Sequence, residues 1–300
     1  MKKEEFFECV RKRIAEIMGE EYKVTLNNVV KNNGLELTGI VIMEKSKSAA
    51  PTIYLDEYYD ENSNPGEIGH IIDEVLRLYR QNSNDLDFDF SFFSDYGKME
   101  SRIMFKLLNY EANKKLLLDV PHVRFMDLAI VFYVLVDHES IGNGSVLIHN
   151  NHAQMWKVSE ADLYETATKN TPKLMQYRFS SMDNIISEFI DNAEAVDFLT
   201  CDEVNSNDLY VLTNNKKLFG AACLLYDGLL KRISQKLKSS LYIIPSSIHE
   251  LIIIPQKAFP YTKDELIEMV RTVNANEVDI VDILSDNVYE YKLDTEVVCM

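Results

Sequence analysis

The amino-acid sequence predicts an α+β protein: mainly antiparallel sheets with helices packed on one side, in two α/β subdomains. Three observations predict it. Hairpin and tight-turn signals outnumber strand–helix–strand crossovers. No strand pattern runs into the Gly-rich turn that a Rossmann or P-loop unit needs. The 300 residues exceed the roughly 100–200 of a typical domain. Pro121 marks the boundary, giving an N-terminal α+β domain over 1–119 and a C-terminal one over 120–300.

The elements follow in chain order. Phe6 or Phe7, Val10, Ile14 and Ile17 or Met18 recur at helical spacing, and Gly19 is a stop, so residues 4–18 read as a helix. Two β-prone runs then flank Asn32-Asn33-Gly34, and Asn-Gly is the strongest short hairpin signal. PTIYLDEYY from Pro51 reads as a third strand or docked segment. Asn64-Pro65-Gly66-Glu67 has a capping Asn and Pro at the first helical position, opening a helix to about Arg80. Asp85–Phe90 alternates as a strand does, and residues 98–118 look helical.

In the second half, VRFMDLAIVFYVLV suits one central strand buried on both faces. A turn at Gly142-Asn143-Gly144 leads into SVLIHN. Ser159-Glu160-Ala161-Asp162 resembles a capping box opening a helix to about Lys169. Residues 182–190 give a short helix and LYVLT (209–213) a strand. Leu218, Ala222, Leu225, Leu229, Ile233 and Leu237 form one stripe, so 218–238 reads as a continuous helix. LYII and LIII bracket residues 245–250 as adjacent antiparallel strands, and Thr262-Lys263-Asp264-Glu265 caps a last helix. The acidic tail from about 277 reads as solvated, with one short edge strand in NVYEYKL.

Composition bounds the function. Apolar residues make up 46% of the chain, enough for a core without disulfides or metals. The net charge of −17 repels phosphates and anionic lipids, so direct nucleic-acid binding and membrane binding are not expected. The four cysteines share no short spacing, which excludes a zinc knuckle and a disulfide framework. No cofactor is expected. The N-terminus lacks the apolar core of a signal peptide, and apolar runs such as Leu128–Val136 are too short to span a bilayer, which points to the cytoplasm.

Chemistry-bearing residues gather in few places. Ser246, Ser247, His249 and Glu250 put hydroxyls, an imidazole and a carboxylate on one loop. A nucleophilic serine needs a base in reach and an oxyanion hole. The plainer account is a turn whose serines satisfy backbone groups while Glu250 fixes His249. His249-Glu250 lacks the second histidine of a zinc protease, since position 253 is Ile. His149 and His152 lack a third metal ligand nearby in sequence, and His70 with Glu74 reads as a solvated helical pair. Asp85, Asp87 and Asp89 fail as a calcium loop because position six is Phe90 and position twelve is Tyr96. Two acidic-aromatic patches, Tyr54, Tyr58 and Tyr59, and Phe88, Phe90, Phe92, Phe93 and Tyr96, read as core faces or as an interaction surface selecting a basic protein partner.

PHVRFMDLAIVFYVLV (121–136), NNHAQMWKVSEADLYETATKNT (150–171), YVLTNNKKLFGAACLL (210–225) and PSSIHE (245–250) together resemble an uncharacterised domain-of-unknown-function family of anaerobic low-GC Gram-positive bacteria. The resemblance implies a bacterial cytosolic protein, from a mobile or accessory region, and transfers no catalytic residue. Two functional readings stand. The first is a non-enzymatic protein-binding module with an acidic surface, in one version an inhibitor or DNA mimic. The second is a hydrolase-like enzyme using the 245–250 loop. An enzyme should bring distant polar groups such as Asn150, His152 or Trp156 into one pocket with that loop.

Overall fold

The structure is a computed structural model that describes residues 1–47, 50–60, 68–83, 93–138, 142–191, 199, 209–245, 247–257 and 260–300. The expected Asp85–Phe90 strand and the Asn64-Pro65 helix start lie outside the described residues. The fold is α+β, with three antiparallel sheets among the described residues. The chain forms two compact units: residues 1–95 with 136–144, and residues 96–135 with 145–300.

In the first unit, α1 (Lys3–Met18) and α2 (Ile68–Ser83) cover a sheet ordered β1 (Tyr22–Val30), β2 (Glu36–Glu44), β3 (Thr52–Tyr54). The helical stripe read from the sequence is the buried one: Phe6, Phe7, Val10 and Ile14 meet Ile40, Ile42, Ile72 and Val75 in one core. Gly19 ends α1 at φ 77°. The Asn-Gly turn forms as expected, with Asn33 and Gly34 both left-handed (φ 57° and 72°).

In the second unit, α3 (Tyr96–Met99) leads into β4 (Ile103–Asn109), then α4 (Lys114–Leu117), β5 (His122–Phe125), β6 (Leu128–His138) and β7 (Gly142–Leu147), of which residues 136–138 and 142–144 are counted with the first unit. β6 lies between β4 and β5, and β7 also pairs with it. The β4–β6 ladder joins residues on both sides of position 120. The chain continues through α5 (Asn150–Trp156), α6 (Glu160–Leu174), β8 (Tyr177–Ser181), α7 (Met182–Asp191) and β9 (Tyr210–Asn214). A 3-10 turn over Gly220–Leu225 precedes α8 (Leu229–Leu237), β10 (Leu241–Ile244), β11 (Leu251–Pro255), α9 (Lys263–Asn276), β12 (Tyr289–Lys292) and β13 (Val297–Cys299). The larger sheet runs β13-β12-β10-β11-β9-β8. Both expected capping boxes form: Asp162 N–H donates to Ser159 Oγ at 3.2 Å, and Glu265 N–H to Thr262 Oγ1 at 3.4 Å.

Five readings need correction. The continuous helix expected over 98–118 is interrupted by β4, over Ile103–Asn109, and only short helical turns flank it. Ile103, Met104, Phe105, Leu107 and Leu108 are all buried, and a run buried on both faces shows no period. The single strand expected after Pro121 is two, turned at Met126 (φ 55°) and Asp127. Gly142-Asn143-Gly144 belongs to β7 rather than to the turn before it. The continuous helix over 218–238 breaks at Tyr226, which is extended, and restarts at Gly228 (φ 65°). The tail is not simply solvated: Leu284, Ser285, Val288 and Tyr289 are fully buried, and β12 is an interior strand between β10 and β13.

Candidate functional site

The loop between β10 and β11 is pinned to three other segments of its unit. Ile248 N–H donates to the Asp282 carbonyl at 2.8 Å, and Ala221 N–H donates to the Ile248 carbonyl at 3.2 Å. The Thr213 hydroxyl donates to the His249 carbonyl at 2.7 Å. Such anchoring gives backbone groups of Ile248 and His249 partners outside the loop.

Within the loop Ser247 and Glu250 bond each other, while the His249 ring finds its partners outside it. Ser247, buried, donates from Oγ to Glu250 Oε1 at 2.7 Å and accepts the His249 N–H at 3.0 Å. The His249 ring stacks on Phe219 at 5.7 Å between centroids, with planes 13° apart. Its Nδ1 accepts the Phe219 N–H at 3.2 Å, which places a neutral ring's proton on Nε2. Nε2 faces Asp282 Oδ1 at 3.4 Å. Neither ring nitrogen addresses Ser247, so the hydroxyl and the imidazole are not assembled as nucleophile and base. Ser246 lies outside the described residues.

Beside this loop an open cleft of about 500 Å³ is lined by Lys217, Ser247, His249, Glu250, Glu277, Val278, Asp279 and Asp282. Four carboxylates thus face one lysine and one imidazole. Glu277 and Asp279 are exposed, while Glu250 and Asp282 are half-buried. Asp279 opens a turn, accepting the Val281 N–H at 3.2 Å, and this turn brings Asp282 up to His249. Sequence reasoning missed Lys217, Glu277, Asp279 and Asp282. Their only signals were a Lys-Lys turn after a strand and close acidic spacing, which reads equally well as a solvated tail.

Asn150, His152 and Trp156 form a different cluster, on α5, and do not line this cleft. Asn150 Nδ2 donates to the Leu118 carbonyl at 3.1 Å, and His149 Nδ1 pairs with Asp119 Oδ2 at 2.9 Å. His152 Nδ1 accepts the His149 N–H at 3.1 Å. The His152 ring lies 6.1 Å from that of Trp156, which lies 6.0 Å from Tyr96. Burial, and then the neighbouring His149, hold the His152 pKa below the ordinary imidazole value. These contacts cap and seat a short helix.

The remaining candidates resolve simply. His70 is exposed, and Glu74 pairs with Arg77 rather than with His70. Phe93 is buried, and Tyr58 and Tyr59 pack on the core of the first unit. Phe88, Phe90 and Phe92 lie outside the described residues. Among the described residues, no group of three His, Cys, Asp or Glu is arranged to hold a metal ion, and no helix is long and apolar enough to cross a membrane.

No curated protein and no solved structure matches the chain. One family model does, over residues 3–293. The chain therefore belongs to the family of unknown function DUF5688.

Proposed function

We propose that this chain is a non-enzymatic protein-binding module of the bacterial cytoplasm, and that the cleft beside residues 247–250 takes a basic segment of a protein partner. The observation that carries the reading is the convergence of Glu250, Glu277, Asp279 and Asp282 on one open surface. A single exposed ion pair contributes at most about 1 kcal/mol. Four carboxylates on one surface act together, raising association rate and selecting partner charge more than they raise affinity. The geometry of Ser247 favours this reading over the hydrolase alternative, because its hydroxyl is engaged by Glu250 and His249 turns its nitrogens elsewhere. A nucleic-acid enzyme inhibited by DNA mimicry is one member of this partner class.

The test compares the immobilised chain with a Glu277→Lys/Asp279→Lys/Asp282→Lys variant of equal thermal stability, against host proteins and Arg-rich peptides. The wild type retains basic ligands, and rising salt releases them. Duplex DNA in excess releases the partner if DNA mimicry is the role. Equal retention by the triple variant overturns the reading. So does ester, amide or phosphoester hydrolysis that Ser247→Ala abolishes.

A further inference from the structure

Lys217 and Glu250 also border a second, smaller cleft of about 260 Å³. Its construction follows from register. Arg178 lies opposite Thr213 and Ser180 opposite Val211 in the β8–β9 ladder, so the four share one face of the sheet. From α7, Ile185 and Glu188 lie three residues apart on one face and close over it. The Arg178 guanidinium meets the Glu188 carboxylate across the gap through Nη2, and both side chains are largely buried, at 19% and 15% exposure.

Size and charge select the ligand class. Pockets for drug-sized ligands begin at about 300 Å³, so this one is too small for a nucleotide or a peptide. The lining holds two cations, Arg178 and Lys217, and two carboxylates, Glu188 and Glu250, beside apolar Ile185 and Val211; Arg178 and Glu188 bond each other and Glu250 accepts from Ser247, so a ligand shares these groups with their present partners. A simple anion would lie against the two carboxylates, and a simple amine against the two cations. A ligand carrying both charges a few bonds apart, with an aliphatic side chain, matches all three features. We infer that the cleft between β8, β9 and α7 binds a small aliphatic zwitterion of the free α-amino acid type. Arg178 and Lys217 face its carboxylate, Glu188 and Glu250 its ammonium, and Ile185 and Val211 its side chain. This inference does not depend on the protein-binding reading.

Calorimetric titration of the full chain tests it, with free L-leucine, L-leucinamide (no carboxylate) and 4-methylpentanoate (no ammonium) as probes. Leucine is expected to bind, with each analogue at least about tenfold weaker, a difference of about 1.4 kcal/mol. Ile185→Trp fills the cleft and abolishes leucine binding while the melting midpoint stays near that of the wild type. Lys217→Met, on an exposed turn, weakens leucine binding and serves as the second variant if Ile185→Trp does not fold. Absence of binding by leucine and by its smaller homologues valine and alanine overturns the inference. Equal binding of all three probes, or wild-type leucine binding by folded Ile185→Trp or by Lys217→Met, overturns it too.

Discussion

The phenolic hydroxyl of Tyr289 donates to Oδ1 of Asp127 at 2.6 Å, across 162 residues of chain. Oδ2 of the same carboxylate accepts from the Ser285 hydroxyl at 2.6 Å and from Asn287 Nδ2 at 2.9 Å. One residue in the turn between β5 and β6 therefore gathers three donors from the segment entering β12. Tyr289 and Ser285 are fully buried, so each donor would lack water if Asp127 were removed. Asp127→Ala should cost about 3 kcal/mol, and Tyr289→Phe, which removes one donor of the set, about 1 kcal/mol. Urea unfolding midpoints measure both, and equal losses would show that Asp127 is not a shared anchor.

Stability should fall at alkaline pH. Burial, and then the Asp127 charge, push the Tyr289 phenol above its ordinary value. Burial does the same for Tyr133, and for Tyr226, whose hydroxyl donates to the Met175 carbonyl at 2.6 Å. The folded chain thus keeps protons that the unfolded chain releases above about pH 10. Folded-state values raised in this way contribute stability that is complete below that pH and is lost as pH rises beyond it. Denaturant titrations between about pH 9 and pH 11.5 should show the decline, with a shallower slope in Tyr289→Phe.

Gly220 packs closely against both β9 and the 247–250 loop. A Cβ there would lie 2.9 Å from Asn214 N and closer still to Thr213 Oγ1 and the His249 carbonyl oxygen. Two of these are backbone atoms that cannot turn aside. Gly220→Ala should therefore destabilise the fold by about 1–3 kcal/mol and displace His249 from Phe219. The His249 imidazole resonances in NMR spectra report the displacement, and wild-type shifts with unchanged stability would refute it.

Cys223 should resist thiol reagents in the native state. It is fully buried, burial pushes its thiol up to about 12, and its Sγ–H donates to the Thr213 carbonyl at 3.2 Å. The thiolate is the reactive form, so at about pH 8 very little of this side chain is competent. Ellman's reagent should modify it only on unfolding, in a slow phase that Cys223→Ser removes. Rapid native labelling at this position, located by mass spectrometry, would contradict the burial.

What the sequence determined by itself was local. The stripe of α1, the Asn33-Gly34 turn, the caps at Ser159 and Thr262, and the paired strands around residues 245–250 are each set by residues a few positions apart. The α+β class follows from such elements. Tertiary structure decided the rest. The run Ile103–Asn109 is a strand because β6 pairs along all of it, a partner that local pattern cannot supply. The stripe over 218–238 splits because Gly220 must approach Thr213 and His249, and because the chain turns at Gly228. Both clefts likewise come from distant segments: Asp282 is set against His249 by the Ile248 N–H bond to its carbonyl, and Glu188 against Arg178 by α7 lying on β8. Helix caps and turns are short-range interactions with residue signatures. Pairing and burial are long-range, and many sequences of the same composition would satisfy them differently.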